Sequence, residues 1–280
     1  MTIDITSLKK SFGDNTAVNI STYHIGDGEL VGLVGNNGAG KTTLFRLMLD
    51  LLQADNGRVT LGFRPEGNSD GELLSIDPAE SEDWKMFTGS YIDDGFLIDF
   101  LTPEEFFAFV GKVCGLSKND TEERVHQFDQ LMAGEILGHK KLIRDLSAGN
   151  KQKVGIVAAL LHQPQLLILD EPFNFLDPSS QNVLKNILTE YNKTTGSTVI
   201  ISSHNLAHTI DICPRITLLE HGIIIKDLEN IDHSATKELE EYFNMPQSGT
   251  PVEVTEEPAE KDEESVEIQD EQSDDSTTQE

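Results

Sequence analysis

The sequence has 280 residues, of which 37% are hydrophobic and 25% are charged, and its formal net charge is -28. This composition is typical of a soluble globular protein with one large domain or two small ones. Because so strong a negative charge repels phosphate backbones, it disfavours nucleic-acid binding as the function.

Cysteine usage and hydropathy exclude further classes. The two cysteines, Cys114 and Cys213, have no metal-binding spacing and no disulfide framework, which fits a reducing compartment. The first ten residues contain no apolar segment typical of a secretory signal. No stretch of about 18 apolar residues occurs, so we expect no membrane-spanning segment.

The first third of the chain predicts strands followed by a helix. Residues 3–34 have the pattern of short strands, and the apolar run "ELVGLV" indicates a strand buried on both faces. The segment "KTTLFRLMLDLL" predicts a helix that places Leu44, Met48 and Leu51 on one face. Beyond it, "GRVTLGF" predicts a strand and "RPEGNSDGE" a polar loop, while the elements around Trp84 stay unassigned.

The pattern becomes helical between Thr102 and Gln163. In "TPEEFF", Thr102 suits the N-cap position, Pro103 suits the first helical position, and Glu105 completes a capping box. "TEERVHQFDQLM" predicts a second helix and "GNKQKVGIVAALLHQ" a third. We therefore expect a helical subdomain over about residues 101–163.

The last third predicts parallel strands and a hairpin. The apolar runs "LLILD" and "TVIISSH" flank the amphipathic helix "PSSQNVLKNILTEYNK", and this strand–helix–strand order implies a parallel crossover. "ITLLEHGIIIKDL" predicts a hairpin that turns near His221 and Gly222, and "TKELEEYF" a final helix. Beyond Met245 the dense acidic residues predict a disordered tail.

A glycine-rich segment, "GNNGAGKTT", lies between the buried strand and the first helix. It matches the pattern G-x-x-x-x-G-K-[ST], in which glycines let successive backbone N–H groups point at one anion. The lysine can reach the β- and γ-phosphates of a nucleotide, and the first threonine can ligate magnesium. A chance glycine-rich turn is the alternative, but the strand before and the helix after disfavour it. The expected nucleotide contacts are Gly35, Asn36, Asn37, Gly38, Ala39, Gly40, Lys41, Thr42 and Thr43.

Two carboxylates follow the strand "LLIL". We expect Asp170 to hold Mg²⁺ together with Thr42, because hard oxygen ligands suit this ion. Glu171 is the expected general base that polarises the attacking water. Taken alone, the pair could also be a solvated acidic strand exit, but its combination with a phosphate-binding loop favours the catalytic interpretation. These parts together indicate a P-loop NTPase.

Four further segments resemble the motifs of ABC-type ATPases. "LSAGNKQKV" resembles the LSGGQ signature, "FLDP" the D-loop, "SSHNL" the switch-histidine segment, and "FGDNTAV" the segment whose aromatic residue stacks on adenine. Together with the glycine loop they occur in the family's order and cover about residues 3–243. The resemblance implies an α/β P-loop cassette with a mainly parallel core sheet, an antiparallel β subdomain and a helical subdomain, over residues 1–245. Residues 246–280 would form the acidic tail.

The resemblance also implies roles for individual residues. Two subunits would enclose two ATP molecules, and the signature of one subunit would contact the γ-phosphate held by the other. The helix N-terminus at the signature suits an anion. His204 would contact the γ-phosphate during hydrolysis by Glu171. The further expected nucleotide contacts are Phe12, Val18, Ser147, Gly149 and Asp177.

The sequence departs from the family pattern at two places. In the signature, Ala148 replaces a glycine and Asn150 replaces the glutamine, while the serine and second glycine are kept. In the Q-loop, either Asp93 or Asp94 takes the place of the usual glutamine. We expect Asp93 to be the residue that meets the magnesium ion.

The resemblance predicts an ATP-hydrolysing subunit that energises an ABC transporter, with an exporter as the favoured direction. Its cofactors would be ATP and Mg²⁺. Its expected partners are a second identical or related ATP-binding subunit and permease subunits on a separate chain, which would place it at the cytoplasmic face of the membrane. The alternative is a cytosolic ABC-type ATPase that acts on nucleic acid or ribosomes, which the acidic charge disfavours.

Overall fold

A computed structural model describes residues 1–64 and 73–244 of the chain. The chain divides into two units, Met1–Phe243 and Asn244–Glu280. The acidic tail predicted beyond Met245 lies outside the described residues, and so does the polar loop predicted after Arg64. Within the described ranges, no helix is long and apolar enough to cross a membrane.

A six-stranded sheet forms the centre of the first unit. Its strand order is β10-β9-β3-β8-β7-β6, and every neighbouring pair is parallel except β9 with β10. The strands are β3 (Leu30–Val34), β6 (Thr88–Tyr91), β7 (Leu166–Leu169), β8 (Thr198–Ser203), β9 (Arg215–Glu220) and β10 (Ile223–Glu229). This confirms the mainly parallel core sheet.

The central strands are buried on both faces, as their continuous apolar sequences predict. In β7, Leu167 and Leu169 pack into one hydrophobic cluster, while Leu166 and Ile168 pack into another on the opposite face. All four side chains are fully buried. The first cluster is covered by helices, and the second joins the sheet to α1 and to the smaller sheet.

The smaller sheet is antiparallel, with the order β2-β1-β4-β5. It consists of β1 (Thr2–Phe12), β2 (Asn15–Ile25), β4 (Asn56–Phe63) and β5 (Leu74–Ile76). Alternate residues of β1, among them Ile3 and Ile5, are buried against the second cluster. The predicted antiparallel β subdomain is therefore confirmed.

Eight helices occur in the described residues: α1 (Lys41–Met48), α2 (Pro103–Val113), α3 (Lys118–His126), α4 (Asp129–Met132), α5 (Ala148–Leu160), α6 (Pro178–Thr195), α7 (Leu206–Ile212) and α8 (Thr236–Asn244). Short 3₁₀ helices span Asp83–Phe87, Asp94–Phe96, Ile143–Asp145 and Ile231–His233. Helices α2 to α5 occupy the predicted helical region. The boundaries of 101–163 for a subdomain, and of 1–245 for the whole domain, stay predictions.

The capping prediction for α2 is confirmed. The Thr102 hydroxyl accepts the Glu105 backbone N–H at 3.3 Å, and the Glu105 carboxylate accepts the Thr102 backbone N–H at 2.9 Å. Pro103 occupies the first turn, as expected. The two hydrogen bonds satisfy backbone N–H groups at the start of the helix that would otherwise have no acceptor, so the start of α2 is fixed by local contacts.

The prediction of one helix over residues 121–132 is wrong in part. The chain forms α3 and α4 as separate helices with a break at Gln127 and Phe128, and α3 begins at Lys118. Phe128, Leu131 and Met132 are all buried in the first cluster. Packing of these large apolar residues outweighs the continuous helical pattern, because burial depends on tertiary contacts that the pattern does not contain.

The first helix is shorter than predicted. α1 ends at Met48, and Asp50 adopts a positive φ of 49°. Leu44 and Met48 are buried as expected, but Leu51 is 47% exposed. The expectation that Leu51 continues the buried face is therefore wrong, because the backbone turns away before it.

The crossover and the hairpin are both confirmed. β7 and β8 pair in parallel with α6 between them. The apolar residues that the helical pattern of α6 places inward are buried or partly buried in the first cluster: Val183, Leu184, Ile187, Leu188 and Tyr191. β9 and β10 pair antiparallel around His221 and Gly222, whose φ angles are 46° and 76°. Positive φ at both central residues is the requirement of the tight hairpin turn that suits twisted strands.

Candidate phosphate-binding and catalytic site

Three parallel strands end at one edge of the central sheet, and each is followed by a predicted site residue. Gly35 follows β3, Asp170 follows β7, and His204 follows β8. β3 and β7 both pair with β8 in parallel register. Because parallel strands share the edge at which they end, these residues meet although they are far apart in sequence.

The glycine loop between β3 and α1 needs glycine at two positions. A Cβ on Gly35 would lie 2.3 Å from the carbonyl oxygen of Leu219, and a Cβ on Gly40 would lie 2.3 Å from that of Ala17. Gly40 also has a φ of 107°, which side chains rarely allow. The Gly222 N–H donates to the Ala39 carbonyl at 2.8 Å, so the β9–β10 turn supports the loop.

The lysine of the motif points into this loop. Lys41 Nζ donates to the carbonyl oxygens of Gly35 at 2.7 Å and Asn36 at 3.3 Å. It also lies 3.3 Å from Glu171 Oε1, and its side chain is only 6% exposed. A buried ammonium group at the start of a helix places a positive charge inside this loop, in a chain whose net charge is -28.

Asp170 lies beneath the loop, between two hydroxyl donors. Thr42 Oγ1 donates to Asp170 Oδ2, and Ser202 Oγ donates to Asp170 Oδ1. Burial raises the pKa of Asp170 from its ordinary value, and the two hydroxyls oppose this shift only in part. The carboxylate and the Thr42 hydroxyl thus form two adjacent hard oxygen donors, which fits a small divalent cation such as Mg²⁺.

Glu171 connects the lysine to the histidine that follows β8. Its Oε2 accepts the ring Nδ1–H of His204 at 2.9 Å and the backbone N–H of the same residue at 3.2 Å. Its backbone has a positive φ of 47°. Its N–H donates to Ser202 Oγ at 2.8 Å, and its carbonyl accepts from Gln152 Nε2 at 2.9 Å. These contacts hold a strained residue in one orientation, which is typical of functional positions.

The signature segment forms the start of α5. Ser147 is the exposed N-cap, and its Oγ accepts the backbone N–H of Asn150 at 3.3 Å. A Cβ on Gly149 would lie 2.5 Å from the carbonyl oxygen of Phe175, so only glycine allows this approach of the two segments. The signature helix tip and the segment between β7 and α6 are therefore in direct contact.

Asp177 is an N-cap in the structure. It accepts the backbone N–H groups of Ser179 and Ser180, both at 3.0 Å, and the Ser180 hydroxyl at 2.5 Å. These hydrogen bonds, that of the Ser180 hydroxyl first, hold its pKa below the ordinary value. Its expected nucleotide contact stays a prediction.

Two of the expected nucleotide contacts, Phe12 and Val18, differ in exposure. Phe12 is 53% exposed at the end of β1, whereas Val18 on β2 is completely buried in the second cluster. Phe12 borders a cavity of about 460 Å³ that Thr43 and Asp93 also line. The side chain of Phe12 is accessible for stacking, whereas that of Val18 is not, so a contact at Val18 would require its backbone.

Asp93 is paired with an arginine side chain. It forms an ion pair with Arg46 Nη2 at 2.9 Å and accepts the Gly95 backbone N–H at 2.8 Å. Its neighbour Asp94 accepts the Tyr91 hydroxyl at 2.5 Å. The expected role of Asp93 at the magnesium ion stays a prediction, and Arg46 competes for its carboxylate.

Sequence reasoning missed Ser202, which donates to the Asp170 carboxylate and accepts the Glu171 backbone N–H, and Gln152, which donates to the Glu171 backbone carbonyl. Ser202 is fully buried and contacts both Asp170 and Glu171. The sequence feature that could have identified Ser202 is the pair of serines, Ser202 and Ser203, that ends the mostly apolar strand β8. Gln152 is 3% exposed on α5, where a buried polar residue on a helix indicates a specific partner.

Comparison with known proteins gives consistent matches. The ABC transporter family profile matches residues 18–174. Bacitracin transport ATP-binding protein BcrA of Enterococcus faecalis is 33% identical over 81% of this chain and 68% of its own length. Linearmycin resistance ATP-binding protein LnrL of Bacillus subtilis is 32% identical over 78% and 66%. Methionine import ATP-binding protein MetN 4 of Oceanobacillus iheyensis is 29% identical over 80% and 64%.

A solved structure, that of an ATP-binding subunit of an ABC transporter, has the same architecture. It superposes with a TM-score of 0.70 and 26% sequence identity, over 83% of this chain and 91% of that structure. The alignments with the three relatives cover about two thirds of each relative's length. The residues that match the family profile, 18–174, contain the glycine loop, the signature helix and the end of β7 with Asp170 and Glu171.

Proposed function

The chain belongs to the ABC transporter family of ATP-binding proteins, and from this premise we propose that it drives export by closing on MgATP together with a second subunit. Family membership makes it an ATP-binding subunit and an ATPase. The roles of individual residues, the dimer, the membrane partner and the direction of transport are the proposal.

One observation carries the proposal. Lys41 lies inside the glycine loop, where its ammonium group donates to two backbone carbonyl oxygens, and Glu171 is held at the same place by Lys41 and His204. Lys41 would bind the β- and γ-phosphates, and Glu171 would accept a proton from the water that attacks the γ-phosphate. His204 would keep the Glu171 carboxylate oriented and contact the γ-phosphate.

Thr42 and Asp170 would hold Mg²⁺, since their oxygens already lie next to each other. When bound, the ion neutralises phosphate charge. Ser202 keeps Asp170 oriented through its hydrogen bond to the other carboxylate oxygen. Asp93 would join this group on release from Arg46.

A dimer follows from the two half-sites that each chain contains. One is the glycine loop with Glu171, and the other is the exposed helix N-terminus at Ser147 and Gly149. In a two-fold symmetric pair, each helix tip can face the loop of the other subunit and bind its γ-phosphate. Closing the pair on ATP and opening it after hydrolysis would provide the mechanical step.

The membrane-spanning part would come from separate permease subunits, which would hold this chain at the cytoplasmic face of the membrane. A groove of about 190 Å³ between α2 and α5 and a neighbouring one of about 290 Å³ share the half-exposed Phe96. An exposed aromatic side chain between two grooves suits a protein partner. We assign this surface to the permease subunits.

The assignment of ATP binding is tested with Lys41→Ala and, as control, Lys226→Ala, which loses only an ion pair to Glu238. We expect Lys41→Ala to weaken the binding of a fluorescent ATP analogue by at least about tenfold, because a charge-assisted phosphate contact is lost. The control should bind within about twofold of the native chain. Equal affinity in all three proteins contradicts the role of the loop.

The direction of transport is tested in inside-out vesicles that contain the chain and its permease subunits. Bacitracin is the first probe, because one relative is named for its transport. Export predicts ATP-dependent accumulation inside these vesicles. Because the relatives also include a methionine import protein, import is the competing direction. Accumulation only in right-side-out vesicles would contradict export.

A further inference from the structure

A cavity of about 570 Å³ lies in the helical region, between α2, α3 and the loop that follows α4. It is larger than the cavity beside Phe12 and the two grooves beside Phe96. None of the residues expected to contact nucleotide or metal borders it. Its volume is in the range of sites that enclose small organic ligands, and the proposed function gives it no role.

Helix α2 separates this cavity from the surface assigned to the permease subunits. Phe106 and Val110 line the groove between α2 and α5, whereas Phe107 and Ala108 line the cavity on the side of α3. A ligand in the cavity would therefore leave the groove open.

The cavity extends along both helices. On α2 it is bordered from Glu104, in the first turn, to Lys112, in the last. At a rise of 1.5 Å per residue, these two positions lie about 12 Å apart along the helix axis. On α3 it is bordered from Lys118 to His126. The cavity is therefore long enough to accept an extended chain.

The wall of the cavity consists of five apolar side chains: Phe107, Ala108, Leu116, Val125 and Leu137. Phe107 and Val125 are buried in the first hydrophobic cluster, so the core of the region fixes their positions. Ala108 is exposed, and its small side chain leaves the space open. Burial of apolar surface is the main contribution that this wall can make to binding.

The charged side chains at the end near Gly138 have partners within the fold. Glu104 accepts the Gly138 backbone N–H at 2.6 Å, and His126 Nδ1 lies 3.1 Å from the Asp129 carboxylate. These two side chains are therefore already engaged.

Two lysines lie at the other end, near the turn between α2 and α3. Lys118 is paired with Glu122 at 3.7 Å. The Lys112 ammonium group has no ion pair or hydrogen bond with any residue in 1–64 and 73–244. The methylene stem of such a lysine can lie along an apolar wall while its charge stays at the mouth. This end of the cavity thus offers one uncompensated positive charge.

We propose that the cavity binds a single-chain anionic amphiphile, such as a fatty acid, with its acyl chain along the apolar wall and its carboxylate at Lys112. A long apolar space with one uncompensated cation at its end matches a ligand that is apolar over its length and negative at one end. A neutral ligand would make no use of Lys112, and a fully polar one would gain nothing from the wall. This inference goes beyond the proposed function and is independent of it, because it needs neither nucleotide nor a second subunit.

The test measures the binding of octanoate, decanoate and dodecanoate to the full chain by isothermal titration calorimetry, below the concentration at which each forms micelles. We expect affinity to rise by roughly tenfold with each two methylene groups added, because each one increases the apolar surface that is buried. Decanoate should bind at least about threefold more tightly than decylammonium, which has the same chain and the opposite charge.

Two variants locate the site. Ala108→Phe fills the cavity from an exposed position, so it should weaken decanoate binding by at least about tenfold without loss of thermal stability. Lys112→Met keeps the apolar stem and removes the charge, so it should weaken decanoate binding by about threefold and leave decanol binding unchanged. Lys193→Met is the matched control, because Lys193 is an exposed lysine on α6, outside the cavity, and should bind decanoate like the native chain.

Three results would overturn the inference while leaving the proposed function intact. They are no binding of any of the three acids, equal decanoate affinity in Ala108→Phe and the native chain, and tighter binding of decylammonium than of decanoate. Equal decanoate affinity in Lys112→Met and Lys193→Met would overturn the placement of the carboxylate.

Discussion

The variant Ser202→Ala tests whether the orientation of the catalytic carboxylates affects turnover beyond any effect on overall stability. Ser202 Oγ donates to Asp170 Oδ1 and accepts the Glu171 backbone N–H at 2.8 Å, and the residue is fully buried. In Ser202→Ala, a carboxylate oxygen and a backbone N–H lose their partner in a place that water does not reach. Such groups are costly, most of all when one of them is charged.

The magnitude follows from these two bonds. A hydrogen bond to a charged group contributes about 1.5–3 kcal/mol and a neutral one about 1 kcal/mol, so Ser202→Ala should lower the free energy of unfolding by about 2–4 kcal/mol. At roughly 2–4 °C per kcal/mol for a domain of this size, the melting temperature should fall by about 4–16 °C. We also expect kcat for ATP to fall at least about tenfold with little change in KM, because orientation of the reacting groups is lost.

Ser203→Ala is the matched control. Ser203 is also buried, and its hydroxyl donates to the Asn205 carbonyl at 2.9 Å and accepts the Asn205 N–H at 3.0 Å. This variant loses two neutral hydrogen bonds, for about 1–2 kcal/mol, but no contact to a site carboxylate. Calorimetry and steady-state ATPase assays compare the two variants. Equal kcat in Ser202→Ala and Ser203→Ala would refute the reasoning.

Three further predictions use the same structure. Gly40→Ala should abolish ATP binding and lower thermal stability, because its Cβ would meet the Ala17 carbonyl oxygen at 2.3 Å. Gly115→Ala is the control: Gly115 also has a left-handed backbone, with a φ of 78°, but it has open space and lies outside the glycine loop, so this variant should retain binding in the same titration. Asp177→Ala should be less stable than Asp177→Asn, which keeps the cap. Because the pKa of Asp177 is lowered in the folded state, its charge stabilises the fold fully above the ordinary value of 3.8, and this stabilisation is lost as the pH falls from there through the lowered pKa. The native chain's advantage over Asp177→Ala should therefore shrink on acidification below about pH 4, and an advantage that grows would contradict the cap. Asp93→Ala should lower kcat by at least about tenfold. Arg46→Ala should lower it by less than about threefold, because the half-exposed ion pair between the two residues contributes under about 1 kcal/mol. Equal losses of kcat in both variants would mean that the ion pair, rather than the Asp93 carboxylate, is needed at the site.

Local patterns predicted the parts of the site that are continuous in sequence. The glycine loop, the strand before Asp170 and the turn at Gly222 all have their determining residues within a few positions. Backbone conformation at such places depends on glycine and on short-range hydrogen bonds, so the sequence alone contains the information. The order of motifs then indicated the family.

Non-local contacts were not predictable in the same way. Strands β5 and β6 are short, and β6 is specified by its pairing with β7 rather than by its own pattern. The partnership of Arg46 with Asp93 joins α1 to a loop 47 positions away. The break at Phe128 results from packing against residues that the periodicity does not identify. The exposed side chain and left-handed backbone of Phe175 also become visible only with the three-dimensional structure.

The central claim is that MgATP binds between the glycine loop of one subunit and the Ser147 helix tip of another. A structure of the Glu171→Gln chain determined with MgATP tests it most directly. We predict that the triphosphate lies in the loop from Gly35 to Thr42 and that Ser147 of a second subunit contacts the γ-phosphate. A triphosphate bound elsewhere, or a single subunit with ATP bound and Ser147 facing solvent, would contradict the account.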